Sequence, residues 1–365
     1  MIQIAFNTTS LRRLRSAIHP GGRATSQRPG PAESRRSRMA ARTEVGGLRR
    51  PVHLSLALGI ALALLGAGCT NDEGNGQIAR VNVPAFDADS AHALLRRQVE
   101  FGPRVPGTPG HAAQLQWMVE HLRERADTVI VQSFDQPIDG HEPIRLHNVF
   151  ARFAPENSTR VLLVAHWDTR PVSDQEEDEA RQRLPVPGAN DGASGVAVLL
   201  ALADMFAAQP PPIGVDILLT DGEDFATRPG DYENMYLGAK YFAANQPPGY
   251  APLYAILVDL VGDTNPRFEM EGYSLQYAPE VVQRVWRMAE GIGYGHIFVR
   301  TTGMSIMDDH VPLNQGGIRT IDIIDMDYGP NNAFWHTQND VVENTSPRGL
   351  GAVGEVIAAL VYRGG

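Results

Sequence analysis

An α/β fold is predicted, a single domain with a mixed, mostly parallel sheet and helices on both faces. Three observations carry it. Continuous apolar runs at Arg160–Ala165, Val215–Thr220, Ala255–Val258 and Thr320–Ile324 lack the alternation of half-exposed strands and read as strands buried on both sides. Longer Ala-, Val- and Leu-rich stretches lie between them, with the length of helices. The runs also end on chemistry: His166, Glu223-Asp224 and Asp259 stand at or just past strand carboxyl ends.

Taken in order, the chain opens with 11 Lys/Arg against two Asp/Glu in residues 1–50, although its formal net charge is -10. Residues 1–38 are rich in Arg, Ser, Gly and Pro without apolar period; they are read as disordered, or as lying ahead of a true start at Met39. Residues 39–69 have the anatomy of an export signal: Arg42, Arg49 and Arg50, then an apolar run Leu54–Leu65, then Gly66-Ala-Gly-Cys69. That ending resembles a bacterial lipobox, with Gly66 where Leu is usual. It implies a lipoprotein anchored through Cys69 in a bacterial membrane, facing the periplasm or exterior; ordinary secretion with a free thiol is the alternative. Cys69 is the sole cysteine, so neither an intramolecular disulfide nor a cysteine-rich zinc site is on offer. Residues 70–84 read as a linker. The strongly acidic remainder argues against nucleic acid as a partner.

One catalytic domain is expected over 85–365. Asp89 or Ser90 caps a helix to about Phe101, and the loop Gly102–Gly110 precedes a helix over His111–Arg125. Val129–Val131 and Asn148–Ala151 read as short strands. Helices are expected at 196–207, 236–245, 279–291 and 348–361.

Ligands in open α/β sheets gather beyond the strand carboxyl ends. His166, Asp168, Glu223, Asp224 and Asp259 therefore belong to one rim, with Asp191 and His336 arriving on loops. Asp191 is pinned in Gly188-Ala-Asn-Asp191-Gly-Ala-Ser-Gly195 just before an apolar helix, the place of either a helix cap or a metal ligand. Singly, each of these residues is ordinary. As a set they are carboxylates that would repel one another without a cation, joined by two imidazoles, a donor set that suits zinc. Asp340, four residues past His336, is placed to orient a ligand or to close a turn.

His-Trp-Asp168, Gly-Ala-Asn-Asp191-Gly-Ala-Ser-Gly, Asp-Gly-Glu223-Asp224, Leu-Val-Asp259-Leu-Val-Gly, Asp308-Asp309-His310 and Trp335-His336-Thr, in this order, resemble the zinc aminopeptidase and glutaminyl cyclase family from about Phe101 to Tyr362. The resemblance implies a zinc exopeptidase-like fold, with Asp191, Asp224 and His336 as zinc ligands and Glu223 as general base. His166 and Asp259 match the holders of a second zinc in the aminopeptidases, with Asp168 orienting from behind. Asp309 matches a carboxylate that, in the cyclases, shares hydrogen bonds with the residue matching Asp259.

Two chemistries use this frame, both acting on peptide or protein N-termini. A cyclase with one zinc converts N-terminal glutamine to pyroglutamate and releases ammonia; an aminopeptidase with two zincs removes N-terminal residues. Trp335 before His336 and the Asp-Asp-His-Val-Pro run resemble the cyclases, in which a tryptophan lines the glutamine pocket; Trp167 and Phe225 are read as further walls of that pocket or, equally, as core. Asp224 stands where animal cyclases have glutamate and resembles the bacterial ones. A non-catalytic surface binding lipoprotein on the same fold is the third expectation. The acid-rich insert Ser173–Arg183 reads as a solvated loop, or as a rim attracting cationic peptide N-termini.

Overall fold

The computed structural model describes residues 82–138, 142–228 and 230–365. The basic leader, the lipobox-like segment with Cys69 and most of the 70–84 linker lie outside the described residues. The described chain runs α1 (Ala88–Val99), α2 (Pro109–Arg123), β1 (Thr128–Gln136), β2 (Ile144–Phe153), β3 (Arg160–His166), α3 (Ala193–Ala208), β4 (Gly214–Thr220), α4 (Leu237–Ala244) and β5 (Ala255–Asp259). It continues through β6 (Phe268–Met270), α5 (Gly272–Tyr277), α6 (Pro279–Gly291), β7 (Phe298–Thr302), α7 (His310–Gln315), β8 (Thr320–Ile324) and α8 (Pro347–Tyr362).

The main sheet has the order β1-β2-β4-β3-β5-β8, and β6 pairs with β7 apart from it. β4, β3, β5 and β8 are mutually parallel, while β2 meets β4 antiparallel and β1 completes a hairpin. Four strands thus end at one rim, which gathers His166, the Thr220–Asp224 segment and Asp259. Side chains alternate across the sheet as the strand period demands. Val161, Leu163, Ala165, Ile256 and Val258 pack in the core with residues of α3, α6 and α8. Leu162, Val164, Ala255 and Leu257 face the other way, against Ala239 and Phe242 of α4 and Leu313 of α7. Helices on both sides are the reason these strands read as unbroken apolar runs.

Helix starts follow local chemistry. Asp87, rather than Asp89 or Ser90, caps α1 by accepting from the Ser90 amide; Thr108 and Ser346 cap α2 and α8, each followed by a proline that needs no donor. The elements absent from the sequence reading are β6, β7, α5 and α7, of three to six residues each. They are too short to complete a period. β1 is three times longer than its apolar stretch because its polar residues face solvent in alternation.

The apolar helix α3 lies close on the sheet through a missing side chain. A Cβ at Gly195 would stand 2.1 Å from the Val258 carbonyl oxygen. Replacing Gly195 by Val should therefore push α3 off β5, the strand that carries Asp259. We expect a loss of about 3 kcal/mol in stability by urea denaturation; an unchanged midpoint would contradict this packing.

Candidate metal centre

Asp191 sits between β3 and α3, one residue before Gly192, whose φ of 36° and tight fit under His166 exclude a side chain. This corner aims the two oxygens of one carboxylate at two different imidazoles. Oδ1 lies 3.1 Å from His166 Nε2, and Oδ2 lies 3.5 Å from His336 Nε2. Around these contacts two triads close. His166 Nε2 is also 3.2 Å from Asp259 Oδ1, and His336 Nε2 is 3.4 Å from Asp224 Oδ2. All five side chains are buried.

The arrangement fits zinc. Bonds of about 2.0–2.1 Å in tetrahedral geometry put ligand atoms roughly 3.3 Å apart, close to the 3.4 and 3.5 Å found around His336. Asp224 Oδ2, fully enclosed, accepts no hydrogen bond, an expensive condition for a buried carboxylate unless a cation meets it. The donors are all nitrogen and oxygen, within zinc's range.

Two further aspartates shape the backbone rather than the ion. Asp168 accepts the amides of Glu223 at 3.1 Å and Asp224 at 3.2 Å. Asp340 accepts those of Asn190 at 2.7 Å and Asp191 at 3.2 Å, and the Tyr328 hydroxyl besides. Each ligand-bearing turn is thus tied down by a buried carboxylate.

A cavity of about 470 Å³ opens over the triads, walled by Glu223, Asp308, Tyr236 and Trp335 among others. Trp335 stacks on His336 with ring centroids 3.8 Å apart. Of six non-glycine residues with positive φ among the described residues, Tyr236, Leu260 and His336 line this cavity, strain of the kind that concentrates at functional sites.

Two expectations are corrected here. Trp167 is fully buried, stacked 4.2 Å from His111 and donating to the His147 carbonyl; it belongs to the core, not the pocket wall. The carboxylate reaching the cavity beside Glu223 is Asp308, while Asp309 turns beneath it to accept from the Thr220 hydroxyl. Arg170 and Asp174, absent from the sequence reading, form a bracket: Arg170 donates to Asp224 and Asp174, and Asp174 lies 3.1 Å from His336 Nδ1. Nothing periodic marks them, but their place just after β3 is the only signal they offer. The acidic insert is partly structural. Glu176 accepts the Gln338 amide and pairs with Arg181, and Asp178 accepts two amides of its own turn, so Glu177 and Glu179 alone among its glutamates stay exposed.

Burial and crowding displace the carboxyl groups unequally. Against burial, hydrogen bonding to His166 and the charges of both histidines hold Asp191 down at about 2. Burial pushes Asp224 up to about 6, despite His336 and Arg170, and Asp309 up to about 7. Glu223 stands well above the usual carboxylate range, through burial and then Asp308; Asp308 does too, through burial and then Asp259.

A mixed sheet whose parallel strands converge on buried carboxylates and imidazoles is the architecture of zinc-dependent exopeptidases and their cyclase kin, and this chain is an enzyme of that kind. The chain belongs to peptidase family M28, whose model matches residues 148–361. It is similar to a leucine aminopeptidase precursor from Bacteroides thetaiotaomicron, with 38% identity and a TM-score of 0.74 over 77% of this chain and 98% of that one. The glutaminyl cyclase of the same organism, solved with N-acetylhistamine, gives 38% identity and a TM-score of 0.73, covering 77% of this chain and 99% of the other. The Drosophila melanogaster glutaminyl-peptide cyclotransferase is 26% identical over 264 residues, 65% of this chain and 70% of its own length. By contrast, the chain spans about a third of the fungal relatives it matches, 36% of one from Leptosphaeria maculans named a probable zinc metalloprotease.

Without a cation, the raised carboxyl groups stabilise the fold while protonated. That contribution is complete below their unfolded values near 4 and is lost as pH rises through about 6 for Asp224 and about 7 for Asp309. The melting temperature of chelator-treated protein should fall between pH 5 and pH 8, and zinc should restore most of the loss at pH 8. A metal-free Tm flat across that range would show that the acids do not confront one another as described.

Proposed function

We propose that this enzyme is a zinc-dependent glutaminyl-peptide cyclotransferase, forming pyroglutamate at peptide N-termini. The observation that carries the reading is Trp335, whose indole stacks on His336 and gives the cavity an apolar wall directly beside the zinc triad. Such a wall suits the methylenes of a glutamine side chain bent back toward its own amine. Solved glutaminyl cyclases whose length the chain nearly spans add support.

Zinc held by Asp191, Asp224 and His336 would polarise the γ-amide carbonyl as a Lewis acid. The substrate's α-amine nitrogen then bonds to the γ-carbon, and the bond from that carbon to the amide nitrogen breaks. Glu223 takes the proton from the attacking amine and delivers it to the departing ammonia, so no water is consumed. Asp308, beside Glu223, steers that proton, and Asp259 faces the developing tetrahedral centre. Attack within one molecule leaves positioning as a large share of catalysis, which an enclosed cavity supplies.

A second reading has a specific observation in its favour: His166, Asp191 and Asp259 close a complete second triad, as a two-zinc aminopeptidase requires. The non-catalytic binding protein has none, since base and ligands are all present.

Ammonia release from a Gln-initiated peptide, with one zinc per chain, is the expected outcome. Two zincs with liberated free amino acids would favour the aminopeptidase instead. Exchanging Glu223 for Gln should lower kcat by at least about a hundredfold with zinc retained; activity that survives this change removes Glu223 from the mechanism.

We also infer export and lipid anchoring at Cys69, supported by the Arg-flanked run Leu54–Leu65 ending at that lone cysteine. No helix among the described residues is long and apolar enough to cross a membrane. Metabolic labelling with palmitate in a bacterial host should mark the protein and fail for Cys69→Ala; equal labelling of both would end the proposal.

A further inference from the structure

The metal-centre cavity does not end at the zinc triad. A second cavity of about 330 Å³ adjoins it, and the two share Met304, Ile306, Ile324 and Met326 as common lining. Met304 is 62% exposed, one of few large apolar side chains so presented. An exposed methionine flanked by isoleucine makes an adaptable apolar saddle, and this one lies between the cavity holding Glu223 and the cavity beyond.

The far cavity is acidic. Arg267 and Glu269 pair with each other at 2.6 Å. Glu271 is turned inward, accepting the amides of Tyr273 and Ile306 and lying 3.2 Å from His310. Asp325 is buried, accepting the amides of Arg267 and Asp327. Asp327 is exposed, and its carboxylate enters no ion pair among the described residues. The one uncompensated charge offered to a visitor is therefore negative.

We propose that this second cavity receives the downstream residues of the peptide substrate. The N-terminal residue sits at the metal centre, the second crosses the saddle of Met304, Ile306, Ile324 and Met326, and a Lys or Arg at the third or fourth position meets Asp327. An extended chain advances about 3.3–3.6 Å per residue, so neighbouring side chains reach neighbouring cavities. The inference rests on the reading above in one respect, that the substrate's amino terminus binds at the zinc triad.

Turnover and binding separate the two claims. Ammonia release is measured on Gln-Ala and on tetrapeptides with Lys or Glu at the third and fourth positions, at low salt. Equilibrium binding of the tetrapeptides to zinc-loaded protein is measured alongside. The Lys peptide should exceed the Glu peptide about fivefold in kcat/KM, through KM, and in affinity. Asp327→Lys should reverse that order, and about 0.5 M salt should erase it, while Gln-Ala turnover stays within twofold. If Gln-Ala is cyclised but the tetrapeptides are not discriminated, or Asp327→Lys leaves the preference unchanged, the second cavity has no such role and the cyclase reading stands. If no ammonia appears while the Lys peptide still binds preferentially and loses that preference in Asp327→Lys, the groove stands and the cyclase reading falls. Absence of both overturns both.

Discussion

Like charges forced together under a low-dielectric cover are the constraint on which this structure turns. Asp191, Glu223, Asp224, Asp259, Asp308 and Asp309 are all buried at one rim. The arginines nearby do not balance them. Arg170 engages Asp224 but leaves its other oxygen unpartnered, and Arg104 donates to the Pro187 and Gly188 carbonyls instead. A divalent cation between Asp191, Asp224 and His336 would answer this repulsion; without one, burial and crowding raise Glu223, Asp224, Asp308 and Asp309 above the usual carboxylate range. At Asp224 metal and proton would thus be alternatives, and binding the first would expel the second.

The same constraint sorts the aspartates by role. A carboxylate whose oxygens both accept backbone amides has its position fixed, as with Asp168 and Asp340. Asp224 and Asp191 keep oxygens directed at imidazoles and open to an ion. The division is not visible in residue type. It follows from the turns: each aspartate so fixed holds the two consecutive amides at the start of a turn that presents an open one. Removing Asp168 or Asp340 would loosen a candidate ligand without removing a candidate metal donor.

What was legible in the sequence was what burial enforces. The four parallel strands were readable because both faces are covered, so each is apolar throughout, and their ends located His166, Glu223, Asp224 and Asp259 at one rim. Residues in irregular loops were not, because no period phases them. Asp308 and Asp309 are adjacent, one meeting the cavity and the other Thr220, and nothing in the pair says which. Trp167 and Trp335 each neighbour a site histidine, yet one packs on His111 and the other walls the pocket. Arg170 and Asp174 brace the ligands from a loop where composition offers no contrast. The second cavity, built from β6 and its flanks, the end of β8 with its following turn and the segment before α7, depended on tertiary assembly altogether.

The one-ion and two-ion readings of this site differ at Asp259. Its Oδ1 lies 3.2 Å from His166 Nε2 and also accepts the Leu260 amide, and its charge is the principal neighbour raising Asp308. A second ion between His166, Asp191 and Asp259 would take that charge for itself. Asp308 would then lose the largest of the neighbouring charges that add to burial in raising it. With one ion, the charge of Asp259 continues to act on Asp308, and that of Asp308 on Glu223. The number of zinc ions therefore bears on the chemistry through Asp259, whose charge would be either felt by Asp308 or taken up by a second ion.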